Sequence, residues 1–174
     1  METLKYCKVR EVKSPNRAHP EDAGIDFYFS SEISVDEFNE KCNITKSYPN
    51  YITENGFITS ITLQPFESVL LPSGLCVKIP HGHALIFFNK SGVASKKHLQ
   101  VGACVIDENY QSECHINLTN IGNDPITINI NDKLVQGIVL PINYCMCEEV
   151  SDKTKLYEYI SDRGENGFGS TDNI

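Results

Sequence analysis

Apolar and polar residues alternate along the middle of this chain. Cys114, Ile116 and Leu118 alternate with His115, Asn117 and Thr119, and Ile126, Ile128 and Ile130 alternate with Thr127 and Asn129. A period of two sends one set of side chains to a core face and the other to solvent, so both stretches predict half-buried strands. Ala84-Leu85-Ile86-Phe87-Phe88 is apolar throughout and predicts a buried strand. Val69–Leu71 and Leu75–Pro80 predict two short strands parted by Pro72-Ser73-Gly74, and turn formers also cluster from Asn120 to Pro125. Many short strands with turn signals between them predict an all-β fold, a barrel or a jelly-roll-like sandwich.

One helix interrupts this pattern. Ser34-Val35-Asp36-Glu37 has the form of a capping box, with Val35, Phe38 and Cys42 on one face. Asp36 and Glu37 suit the positive end of a helix. The remainder of residues 31–60 is polar and turn-rich. It predicts an elaboration on the β core, suited to covering a sheet edge or binding a protein partner. From Ser161 onward no apolar period remains. The expected organisation is a β domain over 1–160, with the 31–60 insertion, and a flexible arm over 161–174.

Composition narrows the function classes. The 174 residues fit one domain, and a net charge of −8 argues against a duplex-binding surface, which needs cations to displace counterions. No apolar run approaches the roughly 18 residues of a membrane span, and the first ten residues carry no apolar core of a signal peptide. Partners are therefore expected to include neither nucleic acid nor membrane. The seven cysteines form no C-x-x-C pair, which fits reduced thiols in the cytoplasm. His81 and His83 share one side of a strand but have no third ligand nearby for a metal.

The arm carries candidate chemistry. Glycines in Arg163-Gly164 and Gly167-Phe168-Gly169-Ser170-Thr171 let backbone N–H groups approach a phosphate. The Ser and Thr hydroxyls add donors, and the guanidinium adds a planar charged fork.

Five segments together resemble the ordered signatures of the homotrimeric dUTPase family. They are Ala23-Gly24-Ile25-Asp26-Phe27-Tyr28, Ser91-Gly92-Val93-Ala94, Gly102 to Tyr110, Asp132-Lys133-Leu134-Val135-Gln136 and Arg163 to Thr171. The resemblance implies a jelly-roll-like β fold assembled as a homotrimer, with arm exchange and active sites at subunit interfaces. It implies hydrolysis of dUTP to dUMP and pyrophosphate, assisted by Mg²⁺, in the cytoplasm (of the host, if the source is a phage or other virus).

The resemblance also assigns roles. Asp107 is the expected general base for water attacking the α-phosphorus, where the alternative is a turn aspartate. A β-hairpin from Cys104 to Ser112 is the expected nucleoside pocket, with Cys104, Ile106 and Ser112 against the base. Tyr110 is expected under the deoxyribose, excluding a 2′-hydroxyl, and Phe168 over the base. Lys90, Ser91, Gly92, Gln136, Arg163, Gly169, Ser170 and Thr171 are expected on the phosphates. Asp26 is expected to meet Mg²⁺ through water, where the alternative is a surface turn residue.

The sequence departs from the family pattern in four places. Asn89-Lys90 stands for Pro-Arg, Cys104 and Ser112 stand for glycines, and Asn109 replaces a second carboxylate. Lysine keeps the charge of arginine without its bidentate fork. The departures beside the base leave a related dNTP hydrolase or deaminase with altered base preference as an alternative. The insertion leaves a nucleotide-responsive protein-binding module as another.

Overall fold

The computed structural model describes residues 2–45, 50–157, 159, 161, 162 and 164. It divides into two units, Met1–Asn143 and Tyr144–Ile174. The first unit carries every strand named here: β1 (Lys5–Lys8), β2 (Ile25–Tyr28), β3 (Asn50–Glu54), β4 (Phe57–Leu63), β5 (Ser68–Pro72), β6 (Leu75–Lys78), β7 (His83–Asn89), β8 (Leu99–Val101), β9 (Val105–Ile106), β10 (His115–Asn120), β11 (Ile126–Asn129) and β12 (Lys133–Pro141). Helix α1 (Val35–Glu37) precedes β3, and α2 (Ser91–Lys97) follows β7. In the second unit, a single 3-10 turn at Lys153–Lys155 is capped by Asp152, whose Oδ1 accepts from the Thr154 N–H at 2.8 Å.

The strands form four antiparallel groups, ordered β1-β6, β5-β10-β8, β11-β4-β3 and β2-β12-β7-β9. Alternation decides which side chains go inward. In β10, Ile116, Leu118 and Asn120 are buried while His115, Asn117 and Thr119 are half-buried. Phe27 of β2 and Phe87 of β7 meet edge to face, with centroids 4.8 Å apart. Burying such a side chain contributes about 1.5–3 kcal/mol.

The 31–60 stretch is built into this core. Ile33, Phe38 and Ile58 are fully buried. Ser34 caps α1 as expected, its Oγ accepting from the Glu37 N–H at 3.2 Å. The helix is shorter than the pattern predicts, because it widens after one turn into a π-type turn over Phe38–Cys42. That extra residue per turn still leaves Phe38 and Cys42 buried. β3 and β4 are joined by Asn55 and Gly56, both with positive φ (51° and 83°), the two-residue turn that matches strand twist.

The four-stranded group has one face against the core and another that is only partly covered. Val105 is 60% exposed and Phe88 40%, with Ile86, Ile138 and Leu140 half-buried between and beside them.

Candidate active site

The site is best built from β9. This two-residue strand lies on the edge of β7, with Ile106 opposite Leu85 and Val105 opposite Ile86. The Phe87 N–H donates to the Cys104 carbonyl at 2.8 Å. The chain then turns, with the Tyr110 N–H donating to the Asp107 carbonyl at 3.1 Å. Ile106 is buried, which fixes the strand and leaves its neighbour Asp107 exposed. The result is a cleft of about 240 Å³ whose walls include Cys104, Ile106, Asp107, Tyr110, Leu70 and His115.

The expected β-hairpin over Cys104–Ser112 is not what the chain forms. Its incoming arm, β9, pairs with β7, whereas β10 beyond it pairs with β5 and β8 in another sheet. The segment therefore bridges two sheets as a loop, because each arm finds its hydrogen bonds with a different, distant strand. Polar side chains fasten this loop. Glu108 Oε2 accepts from the Gly82 N–H at 2.8 Å, and Glu113 Oε1 accepts from the Gly74 N–H at 2.7 Å. Asn117 Oδ1 accepts from the Ala103 N–H at 2.9 Å. The Tyr110 hydroxyl donates to the Glu113 carbonyl at 3.1 Å, which fixes the ring on the cleft wall. Ser112 is exposed beyond the cleft lining.

A second group of expected residues gathers where β2, β12 and β7 run side by side. Asp26 lies opposite Gln136, and Gln136 opposite Phe88. The Gln136 Nε2 donates to the Asn89 carbonyl at 2.9 Å. Gly24 makes that placement possible: a Cβ there would run into the Gln136 side chain, 2.8 Å from its Cβ and 2.9 Å from its Cδ. Lys90, Ser91 and Gly92 follow directly at the start of α2, Ser91 and Gly92 being exposed.

Asp26 is no surface turn residue. It is 2% exposed in β2, and its carboxylate lies between two lysines. Lys90 Nζ donates to Oδ1 at 2.5 Å. Lys133 Nζ lies 2.6 Å from Oδ2, an ion pair whose angles fall outside hydrogen-bond geometry, so Oδ2 has a charge partner without a directed bond. Burial acts to raise the Asp26 carboxyl, but the contacts from Lys133 and Lys90 outweigh it and hold it below the usual carboxylate range.

One chain does not bring the two groups together. Asp107 follows Ile106, which is paired with Leu85. Lys90 lies beyond the other end of β7, about 17 Å from Leu85 at the strand rise of about 3.4 Å per residue. Arg163, Phe168, Gly169, Ser170 and Thr171 lie outside the described residues. Among the described residues no group of three His, Cys, Asp or Glu side chains is placed to hold a metal ion.

Sequence reasoning assigned no role to Lys133, Asn117, Glu108 or Glu113. Lys133 stands inside the fourth signature, and its charge three residues before Gln136 was the available signal. Asn117 gave none, because alternation marks it as outward-facing and says nothing about its hydrogen bonds.

An antiparallel β fold with a carboxylate beside a small, largely apolar cleft, and lysines grouped elsewhere, is suited to a ligand with both a ring and a phosphate chain. The sequence model of the dUTPase family matches residues 57–172. The deoxyuridine 5′-triphosphate nucleotidohydrolase of Corynebacterium jeikeium (strain K411) is 28% identical over 165 residues, covering 93% of this chain and 87% of that one. That of Burkholderia cenocepacia (strain HI2424) is 33% identical over 114 residues, covering 64% of this chain and 74% of that one. The chain belongs to the dUTPase family.

The fold agrees. The dUTPase of Staphylococcus bacteriophage 80alpha, solved with dUpNHpp, superposes with a TM-score of 0.70 at 23% identity, covering 98% of each chain. A variant dUTPase from phage phi11 of S. aureus, described with a coordinated structural Mg(II) ion, gives 0.64 at 22% identity, covering 87% of this chain and 99% of that one. No helix among the described residues is long and apolar enough to cross a membrane.

Proposed function

We propose that this protein hydrolyses dUTP to dUMP and pyrophosphate, with Asp107 as the general base and three chains contributing to each site. The observation that carries the reading is the position of Asp107, exposed on the wall of a cleft it shares with Cys104, Ile106 and Tyr110. Water is a poor nucleophile at neutral pH, and a fixed carboxylate takes its proton as it attacks the α-phosphorus. Tyr110, tied to the Glu113 carbonyl, presents its ring to the deoxyribose and leaves no room for a 2′-hydroxyl. Cys104, Ile106 and the loop backbone meet the base, with Ser112 at the outer edge. A pocket that hydrogen-bonds uracil leaves its own groups unpaired when cytosine enters, which is a strong rejection.

The separation of Asp107 from Lys90 and Gln136 within one chain supports a site completed by neighbours. The partly exposed apolar face around Phe88, Val105 and Ile138 is the surface a homotrimer would cover. Lys90, Ser91, Gly92 and Gln136 then receive phosphates. Arg163, Phe168, Gly169, Ser170 and Thr171 of the arm close over the nucleotide, Phe168 stacking on the base. Mg²⁺, when bound, would neutralise charge on the triphosphate; the expected water-mediated contact from Asp26 does not fit a carboxylate that is 2% exposed and held between Lys90 and Lys133, so Asp26 instead orders the lysines beside Gln136. The chain works in the cytoplasm, where its seven thiols stay free.

A second reading follows from the hairpin of β3 and β4, where Ile52 is 66% and Phe57 43% exposed: the 31–60 segment binds a protein partner. Deleting that segment would remove Phe38 and Ile58 from the core, so Ile52→Ser with Phe57→Ser is the cleaner test of partner binding at unchanged turnover. The main test is turnover of dUTP, dCTP, dTTP, dATP and UTP by the purified protein. Selective dUTP hydrolysis is expected. Robust dCTP turnover with little dUTP turnover overturns the assignment in favour of a relative with altered base preference, to which Cys104 in the cleft wall would point.

A further inference from the structure

Arg10 lies in the stretch between β1 and β2, outside both residue groups described above, yet it ties one of them to the 31–60 segment. Its Nε donates to both carboxylate oxygens of Glu113 at 3.0 Å. Its Nη2 donates to Glu37 Oε1 at 2.5 Å, and its Nη1 to Glu37 Oε2 and to the Glu32 carbonyl, each at 3.0 Å. The three side chains are largely covered, at 17% exposure for Arg10, 22% for Glu37 and 12% for Glu113. A guanidinium fork serves two carboxylates from two directions in a fixed planar geometry, bidentate on one of them, which a lysine's single ammonium does not provide.

Each end of this bridge leads somewhere different. Glu37 is the last residue of α1 and also donates the N–H that Ser34 caps. Glu113 closes the loop that carries Asp107 and Tyr110. Its carboxylate accepts from the Gly74 N–H at 2.7 Å, and its carbonyl accepts from the Tyr110 hydroxyl at 3.1 Å. The path Glu37–Arg10–Glu113–Tyr110 thus runs from α1 to the cleft wall by hydrogen bonds on either side of Glu113, whose carboxylate holds Arg10 and whose backbone carbonyl holds Tyr110.

We infer that Arg10 and Glu37 are positioning residues for nucleotide binding: through Glu113 they fix Tyr110, so the α1 segment sets nucleotide affinity from outside the cleft. This rests on the proposed role of the cleft. With Glu37 neutral, Arg10 keeps one charged partner and the fork turns toward Glu113, shifting the carbonyl that Tyr110 needs. Because Tyr110 acts on the bound nucleoside rather than on the reacting phosphorus, the loss falls on binding in ground and transition states alike. It raises KM and spares kcat.

The test is a double-mutant cycle of Glu37→Gln and Tyr110→Phe, read as kcat and KM for dUTP and as dUpNHpp affinity by calorimetry, with folding checked by circular dichroism. Glu37→Gln is expected to raise KM about three- to tenfold, the scale of coupling carried through packed networks, with kcat held within about twofold. In the Tyr110→Phe background, which lacks the hydroxyl, the same substitution is expected to add nothing. An unchanged KM in Glu37→Gln overturns the inference, as does an equal KM rise in both backgrounds or a fall in kcat alone. A wild type inert toward dUTP refutes the functional reading instead, and analogue affinity then still reads the coupling. A wild type that also fails to bind the analogue overturns both.

Discussion

Replacing Lys90 by methionine keeps the length of the side chain and removes its ammonium. Asp26 Oδ1, now 2.5 Å from Lys90 Nζ, would be left buried without a donor. Breaking a buried ion pair completely costs about 3–5 kcal/mol. Here Lys133 Nζ remains 2.6 Å from Oδ2, so the loss should sit near that of one unsatisfied charged acceptor, about 2–3 kcal/mol at neutral pH. For a chain of this size that lowers Tm by about 4–12 °C. The pH dependence gives a sharper signature. The Asp26 carboxyl is held below its ordinary value, so the stability it contributes is fully present above the unfolded value near 3.9 and is lost as pH falls through the folded value. Lys90→Met removes part of that contribution, so the gap between variant and wild type should close as pH falls below about 4. Urea unfolding at pH 7.5 and pH 3.5, at one fixed protein concentration, measures both. Lys96→Met, at an exposed lysine of α2, corrects for losing a positive charge from a chain of net charge −8. The reasoning fails if Lys90→Met falls within about 0.5 kcal/mol of that control at pH 7.5, or if the gap persists undiminished at pH 3.5.

Two further outcomes follow from the same geometry. Asp107→Asn should lower kcat for dUTP by about 10²–10⁴-fold while leaving KM and the melting curve nearly unchanged; steady-state kinetics with retained activity would remove Asp107 from the reaction. Gly24→Ala should cost about 1–3 kcal/mol by overpacking against Gln136 and raise KM, since the Gln136 side chain must leave its bond to Asn89; an unshifted urea midpoint would contradict the close approach.

The local patterns were the legible part of this chain. Alternation placed Ile116 and Leu118 inside β10, and the Ser34 cap of α1 followed from four residues. The pairing of strands was less accessible. The resemblance implies a hairpin over Cys104 to Ser112, but β9 and β10 take partners remote in sequence, and nothing local encodes that choice. The Asn55-Gly56 turn lies between Tyr51-Ile52 and Phe57-Ile58, a hairpin signal that the polar residues of the rest of 31–60 hid. Asp26 shows the limit for site residues. A carboxylate two positions after a glycine resembles a turn aspartate, and its burial becomes tolerable only through Lys90 and Lys133, which the fold delivers from the start of α2 and from β12.

Oxygen labelling reads directly whether water attacks the α-phosphorus of dUTP. Hydrolysis is run in water enriched in ¹⁸O, the products are separated, and each is weighed by mass spectrometry. The label should appear in dUMP, with unlabelled pyrophosphate. Label in the pyrophosphate would place the attack on the β-phosphorus and contradict the account.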